Sequence, residues 1–154
     1  MKLWSALYAL TWILFFEIWL SLTPILPPFP RYLHIVLGVG IVALSYSNSE
    51  ALRATEAPAR IKRISRTTFQ LSLVMALLGA LVYLQIGASV PLLLGVSLAG
   101  VFTFFHFVNA MAMITQSAAS AIAYDMWEDR EFERTTRPGE VPSPPGPPLE
   151  APVR

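Results

Sequence analysis

Four stretches of this chain, Leu3 to Leu22, Tyr32 to about Asn48, Phe69 to Ile86 and Pro91 to about Ala123, are apolar over lengths near that needed to span a bilayer as a helix, about 20 residues. A soluble domain of 154 residues could not hide so much apolar surface. With 55% hydrophobic and only 14% charged residues, the composition lies far from the roughly one-quarter charged usage of soluble domains. The reading is an all-α polytopic membrane protein, a four-transmembrane-helix up-down bundle.

The first stretch starts Met1-Lys2, but its apolar run exceeds the usual ~7 to 15 residues of a secretory signal, and Glu17 interrupts it. Pro24, Pro27, Pro28 and Pro30 come next instead of a small-residue cleavage site, so the segment is read as a retained helix. Arg53, Arg60, Lys62, Arg63 and Arg66 crowd the second connector, while the first carries only Arg31 and Gly87 to Val90 none. By the positive-inside rule both termini are then cytoplasmic, in what is expected to be a prokaryotic plasma membrane.

The net charge of +1 gives no case for nucleic acid, because membrane orientation accounts for the basic residues. Cysteine is absent, which excludes disulfides, thiolate ligation, Fe–S clusters and covalent haem attachment. No P-loop, dinucleotide fingerprint, zinc spacing or nucleophile triad is present.

The Pro-rich stretch from Thr23 to Pro30 cannot continue a helix and is expected at the outer interface, with Arg31 and Tyr32 at headgroup level. Ser47 to Thr68 is polar and basic, divided by Pro58, and reads as a solvated loop with Ala59 to Thr67 as a possible leaflet contact. The short connector Gly87 to Val90 makes the third and fourth helices antiparallel neighbours, with Ser89 a candidate cap. Helix four should run past the membrane to about Arg134. Residues 1–134 thus form the transmembrane domain, and 135–154, rich in proline, a cytoplasmic tail with too little apolar content for a core.

Ionisable side chains inside a membrane are costly and tend to be kept for function. Both histidines, His34 and His106, lie within apolar segments, as does Glu17. At 1.5 Å per residue, His34 lies about 24 Å above Glu50, His106 about 28 Å above Asp125 and Glu17 about 21 Å above Leu3. All three fall in the outer half. Counted from the outer end the match is poorer, because His106 is about 22 Å beyond Pro91.

Two imidazoles at one depth on helices two and four can serve as axial ligands of a haem b, also the candidate metal site. Gly38 lies one turn from His34, and Ala99, Thr103 and Ala110 share a face with His106, leaving room for a porphyrin edge; Gly40 and Gly79 add space. Small residues also serve ordinary transmembrane packing, and His106 could instead bond Gln70 or Glu17. Glu17, which needs a partner or a proton in hydrocarbon, is a candidate for pairing with a histidine or Arg31, for binding another subunit, or for proton transfer. Met111, Met113 and Phe102, Phe104, Phe105 and Phe107 read as lipid-facing or packing residues.

The Pro-rich turn, then Arg31-Tyr-Leu-His34-Ile-Val-Leu-Gly38, then Phe105-His106-Phe107, resembles one four-helix half of the haem A synthase family, over Met1 to about Ala123. In that family a histidine on each of these helices faces the haem, and four-helix members of similar size occur in archaea. The outer loop here lacks the family's acid-and-histidine stretch and its cysteine pair, so the resemblance implies haem binding more than synthase activity. The functional expectation is a bis-histidine haem b protein for electron transfer or haem handling. Its rival is a cofactor-free accessory subunit of a respiratory or other membrane complex, docked to partner subunits or to copies of itself. A third reading, a channel or transporter, hinges on Glu17.

Overall fold

A computed structural model describes residues 2–22, 29–92 and 95–136. Most of the Pro-rich turn, residues 23–28, and the tail from residue 137 onward lie outside the described residues. Four helices are present: α1 (Leu3–Leu22), α2 (Phe29–Arg53), α3 (Ala59–Tyr83) and α4 (Leu98–Thr136). All four are long and apolar enough to cross a membrane. Among the described residues there is no sheet, only an isolated bridge between Pro91 and Ser97.

Consecutive helices pack side by side and α1 closes the ring against α4, so α1/α3 and α2/α4 are the diagonals of the bundle. The end where α1 begins and α4 finishes is the lower end; α1 ends and α2 begins at the upper end. Each of the four neighbouring interfaces carries a side-chain hydrogen bond. Asn48 Nδ2 donates to the Ala6 carbonyl at 3.1 Å, and Asn109 Nδ2 to the Leu71 carbonyl at 3.0 Å. Ser45 and Ser72 share a hydroxyl bond at 2.9 Å, as do Thr11 and Ser117. In hydrocarbon, where apolar contact alone does not favour helix over lipid, such bonds and close backbone approach hold helices together.

The polar stretch Ser47 to Thr68 is not a loop. α2 continues to Arg53 and α3 starts directly after Pro58, whose φ of −52° and ψ of 141° end the turn. Helical spacing explains this: Ser45, Asn48, Ser49 and Leu52 bury one stripe of α2, and Ile61, Ser65, Thr68 and Ser72 one stripe of α3, leaving Arg60, Arg63 and Arg66 exposed. The segment is polar in composition yet amphipathic in pattern. Leu52, Ala57 and Ile61 join Leu7, Ala121 and Tyr124 in the lower core, above which Leu10, Leu14, Ile41 and Met113 pack together.

The second departure is at the other end. α4 begins at Leu98, not Pro91, because Gly87 (φ 78°) and Gly95 (φ 76°) turn the chain and Ser97 caps the helix, its Oγ accepting from the Gly100 N–H at 3.1 Å. Ser97, not Ser89, is the cap. In the loop, Leu92 N–H donates to Val96 at 2.8 Å and Leu98 N–H to Val90 at 3.0 Å.

Packing is uneven along the axis. No residue is buried between 31 and 40, 73 and 92, or 95 and 109, whereas α1 keeps Glu17 and Leu20 buried at the same level. The lower two-thirds is close-packed and the upper third is open.

Candidate functional site

The open upper third is where the intramembrane polar groups lie. Glu17 precedes the end of α1 by five residues, His34 follows the start of α2 by five, and Gly79 precedes the end of α3 by four. His106 follows the start of α4 by eight. At 1.5 Å per residue these positions fall about 6 to 12 Å from the upper helix ends. The depth mismatch expected from Pro91 disappears, because α4 starts at Leu98.

His34 and His106 meet across the α2/α4 diagonal, their ring centroids 6.1 Å apart and their planes at 65°. Neither backbone contacts the other; the side chains span the bundle axis. Glu17 on α1 contacts His34 through its Oε2 and the imidazole Nδ1. Of the partners weighed for Glu17, it is a histidine that it meets, not Arg31. The Glu17 side chain is buried, 8% exposed, while the His34 side chain is 40% exposed. A proton held on Nδ1 at this contact would leave the imidazole lone pair of His34 on Nε2.

Helix α3 contributes space. A Cβ on Gly79 would stand 3.2 Å from His106 Cε1 and 3.7 Å from its Nδ1, so the glycine permits the ring to lie against the α3 backbone. Below, Leu14, Ile41 and Met113 with Met75 form the apolar floor. Glu17 Oε1, His106 Nδ1 and, apart from its close contact with Glu17, His34 Nδ1 are buried without a hydrogen-bond partner among the described residues. The upper site therefore holds polar capacity that the neighbouring side chains do not use.

The remaining candidates divide. Gly38 is half-buried on the His34 face with open space beside it, and Ala110 is buried one turn below His106. Gly40 and Thr103 are exposed, and Thr103 Oγ donates to the Ala99 carbonyl of its own helix at 3.0 Å, so neither lines the site. Gln70 is exposed and is no partner of His106. Phe104, Phe105, Phe107 and Met111 face outward, and Met113 is fully buried in the floor. Sequence reasoning counted Gly79 only as general space and did not find Asn109. Asn109 lies three residues after His106, on the inward face of α4, and a search for amides on that face would have found it.

Chemically, the cluster can present two imidazoles to one centre, pass a proton along Glu17, His34 and His106, or clamp α1, α2 and α4 together. Among the described residues no group of three or more His, Cys, Asp or Glu is arranged to hold a metal ion. A haem, whose porphyrin supplies four nitrogens, asks a chain for two ligands only. No family model, no curated protein and no solved structure matches this chain.

Proposed function

We propose that this small four-helix membrane protein binds a haem b in the upper third of the bundle, with His34 and His106 as axial ligands, and serves electron transfer or haem handling. The observation that carries the reading is the histidine pair across the α2/α4 diagonal. Two imidazoles that hold one metal at bonds of about 2 Å have ring centres roughly 6 Å apart; these stand 6.1 Å apart, one ring edge-on to the other. The absence of buried side chains at this level on α2, α3 and α4 gives such a group somewhere to lie.

The residues around the pair fit the role. A metal-bound imidazole is commonly oriented by a carboxylate or carbonyl on its other nitrogen, which fixes its tautomer and raises its basicity. Glu17 does this for His34. Gly79 lets His106 seat against α3, Gly38 leaves the His34 face open, and Leu14, Ile41 and Met113 exclude water from below. A six-coordinate haem would supply a one-electron couple without losing either ligand. The orientation with both helix termini cytoplasmic, proposed from the basic residues of α3, puts the site near the outer face.

The same open upper third favours a second reading, an accessory subunit whose α2, α3 and α4 receive helices of a larger complex or of another copy. One experiment separates the two: a reduced-minus-oxidised visible spectrum of the protein in detergent, beside His34→Ala and His106→Ala. A b-type spectrum lost in both variants is expected. A colourless protein that stays colourless after haem addition would overturn the haem reading and leave the accessory subunit.

A further inference from the structure

A second concavity lies apart from the histidines. A groove of about 230 Å³ runs between α3 and α4, lined by Arg63, Ile64 and Thr67 on one side and Thr115, Gln116 and Ala119 on the other. Thr67 is twelve residues below Gly79 on α3, about 18 Å along the helix. The groove thus sits where α3 passes from its basic to its apolar part.

Two of its polar groups, the Arg63 guanidinium and Gln116 Oε1, are without a partner among the described residues. Arg53 is paired with Glu50 and Arg134 with Glu131, each at 3.0 Å, and Lys62 donates to the Arg53 and Thr55 carbonyls. Arg63, exposed at the foot of the groove, has no ion pair among the described residues, and Arg60 and Arg66 flank it one turn away on either side. Gln116 Oε1 is buried and lacks a donor. Thr67 and Thr115 donate their hydroxyl protons to the Arg63 and Met111 carbonyls at 3.0 and 2.9 Å. Higher on the same faces the groove turns apolar: Val74, two turns above Thr67, and Met111 and Val108, one and two turns above Thr115, are 46%, 40% and 44% exposed.

We propose that this groove binds one anionic phospholipid of the adjacent leaflet, its phosphate on Arg63, its headgroup hydroxyl donating to Gln116 Oε1, and an acyl chain along Val74, Met111 and Val108. A guanidinium is suited to phosphate, and basic pockets between transmembrane helices are where anionic headgroups bind. The orphan acceptor selects within that class. A glycerol headgroup carries a hydroxyl donor, whereas choline carries none and is cationic beside Arg60, Arg63 and Arg66.

The test is native mass spectrometry of the full chain in detergent, with dioleoyl-phosphatidylglycerol, dioleoyl-phosphatidic acid or dioleoyl-phosphatidylcholine added. A single phosphatidylglycerol adduct is expected at phosphatidylcholine-excluding levels. Arg63→Gln should weaken it about fivefold or more, and Arg31→Gln at the other end should leave it unchanged. Gln116→Leu should erase the preference for phosphatidylglycerol over phosphatidic acid, with far-UV circular dichroism checking that each variant keeps its helices. Equal retention of phosphatidylcholine, no effect of Arg63→Gln, or displacement of the adduct by millimolar inorganic phosphate would overturn the proposal, the last by showing a site for a free anion.

Discussion

Replacing Gly79 separates the helix from the site, because the two respond in opposite directions. In the middle of a helix, glycine to alanine gains about 0.5 to 1 kcal/mol. Against that, the new methyl would stand 3.2 Å from His106 Cε1, where ordinary contact begins at 3.4 Å. The ring has to withdraw by at least 0.2 Å, the difference of those two distances. A side chain turned about 30° off its rotamer costs about 0.5 to 1.5 kcal/mol, and this shift is smaller. Gly79→Ala should therefore leave thermal unfolding in detergent within about 1 kcal/mol of the parent, while haem affinity falls up to about tenfold. Gly79→Val places further methyls against the ring and should drive His106 out of the site. Its haem spectrum should vanish with helical content kept, and the His106 imidazole 15N resonances should move in the haem-free protein. Gly40, with nothing within 4 Å, is the control: Gly40→Ala should leave the haem spectrum and the His106 resonances unchanged while keeping the full helix gain of about 0.5 to 1 kcal/mol. Gly79→Val that keeps parental haem affinity and unmoved His106 resonances would refute the reasoning.

Glu17→Gln keeps the shape of the side chain and removes the charge beside His34 Nδ1; haem affinity by titration should drop about 10- to 100-fold, as for other carboxylates that orient a metal-bound histidine. The Ser45–Ser72 bond should show a coupling of about 0.6 kcal/mol in a double-mutant cycle of the two alanine variants, read by unfolding in detergent. Gly87→Ala combines a left-handed φ of 78° with a Cβ 2.8 Å from three Leu98 side-chain atoms, so it should destabilise by more than the roughly 1 kcal/mol of the left-handed penalty alone, and thermal unfolding measures it.

Much of the fold was legible in the residues. α1 has the limits its apolar run suggests, Leu3–Leu22, and α4 ends at Thr136, two residues from the expected Arg134. Where the reading failed, a composition average hid a pattern. Ser47 to Thr68 looks like a loop by polarity, yet Ser49, Leu52, Ile61 and Ser65 recur at helical spacing and are buried. Pro91 to Ser97 looks like helix by hydropathy, yet Gly87 and Gly95 take positive φ at this turn and Ser97 caps α4.

The sequence by itself determined the number of long apolar segments, the placing of Glu17, His34 and His106 within them, and the absence of thiol chemistry. Each is a property of one segment, summed along the chain. Only the tertiary structure decided that α2 and α4 lie on a diagonal, that Glu17 meets His34, that Gly79 backs His106, and that the bundle is dense below and open above. Those are relations between helices. They depend on the rotation and register of each helix about its own axis, which packing among Leu10, Leu14, Ile41 and Met113 and the hydrogen bonds between neighbouring helices fix together, and which no window along a single segment contains.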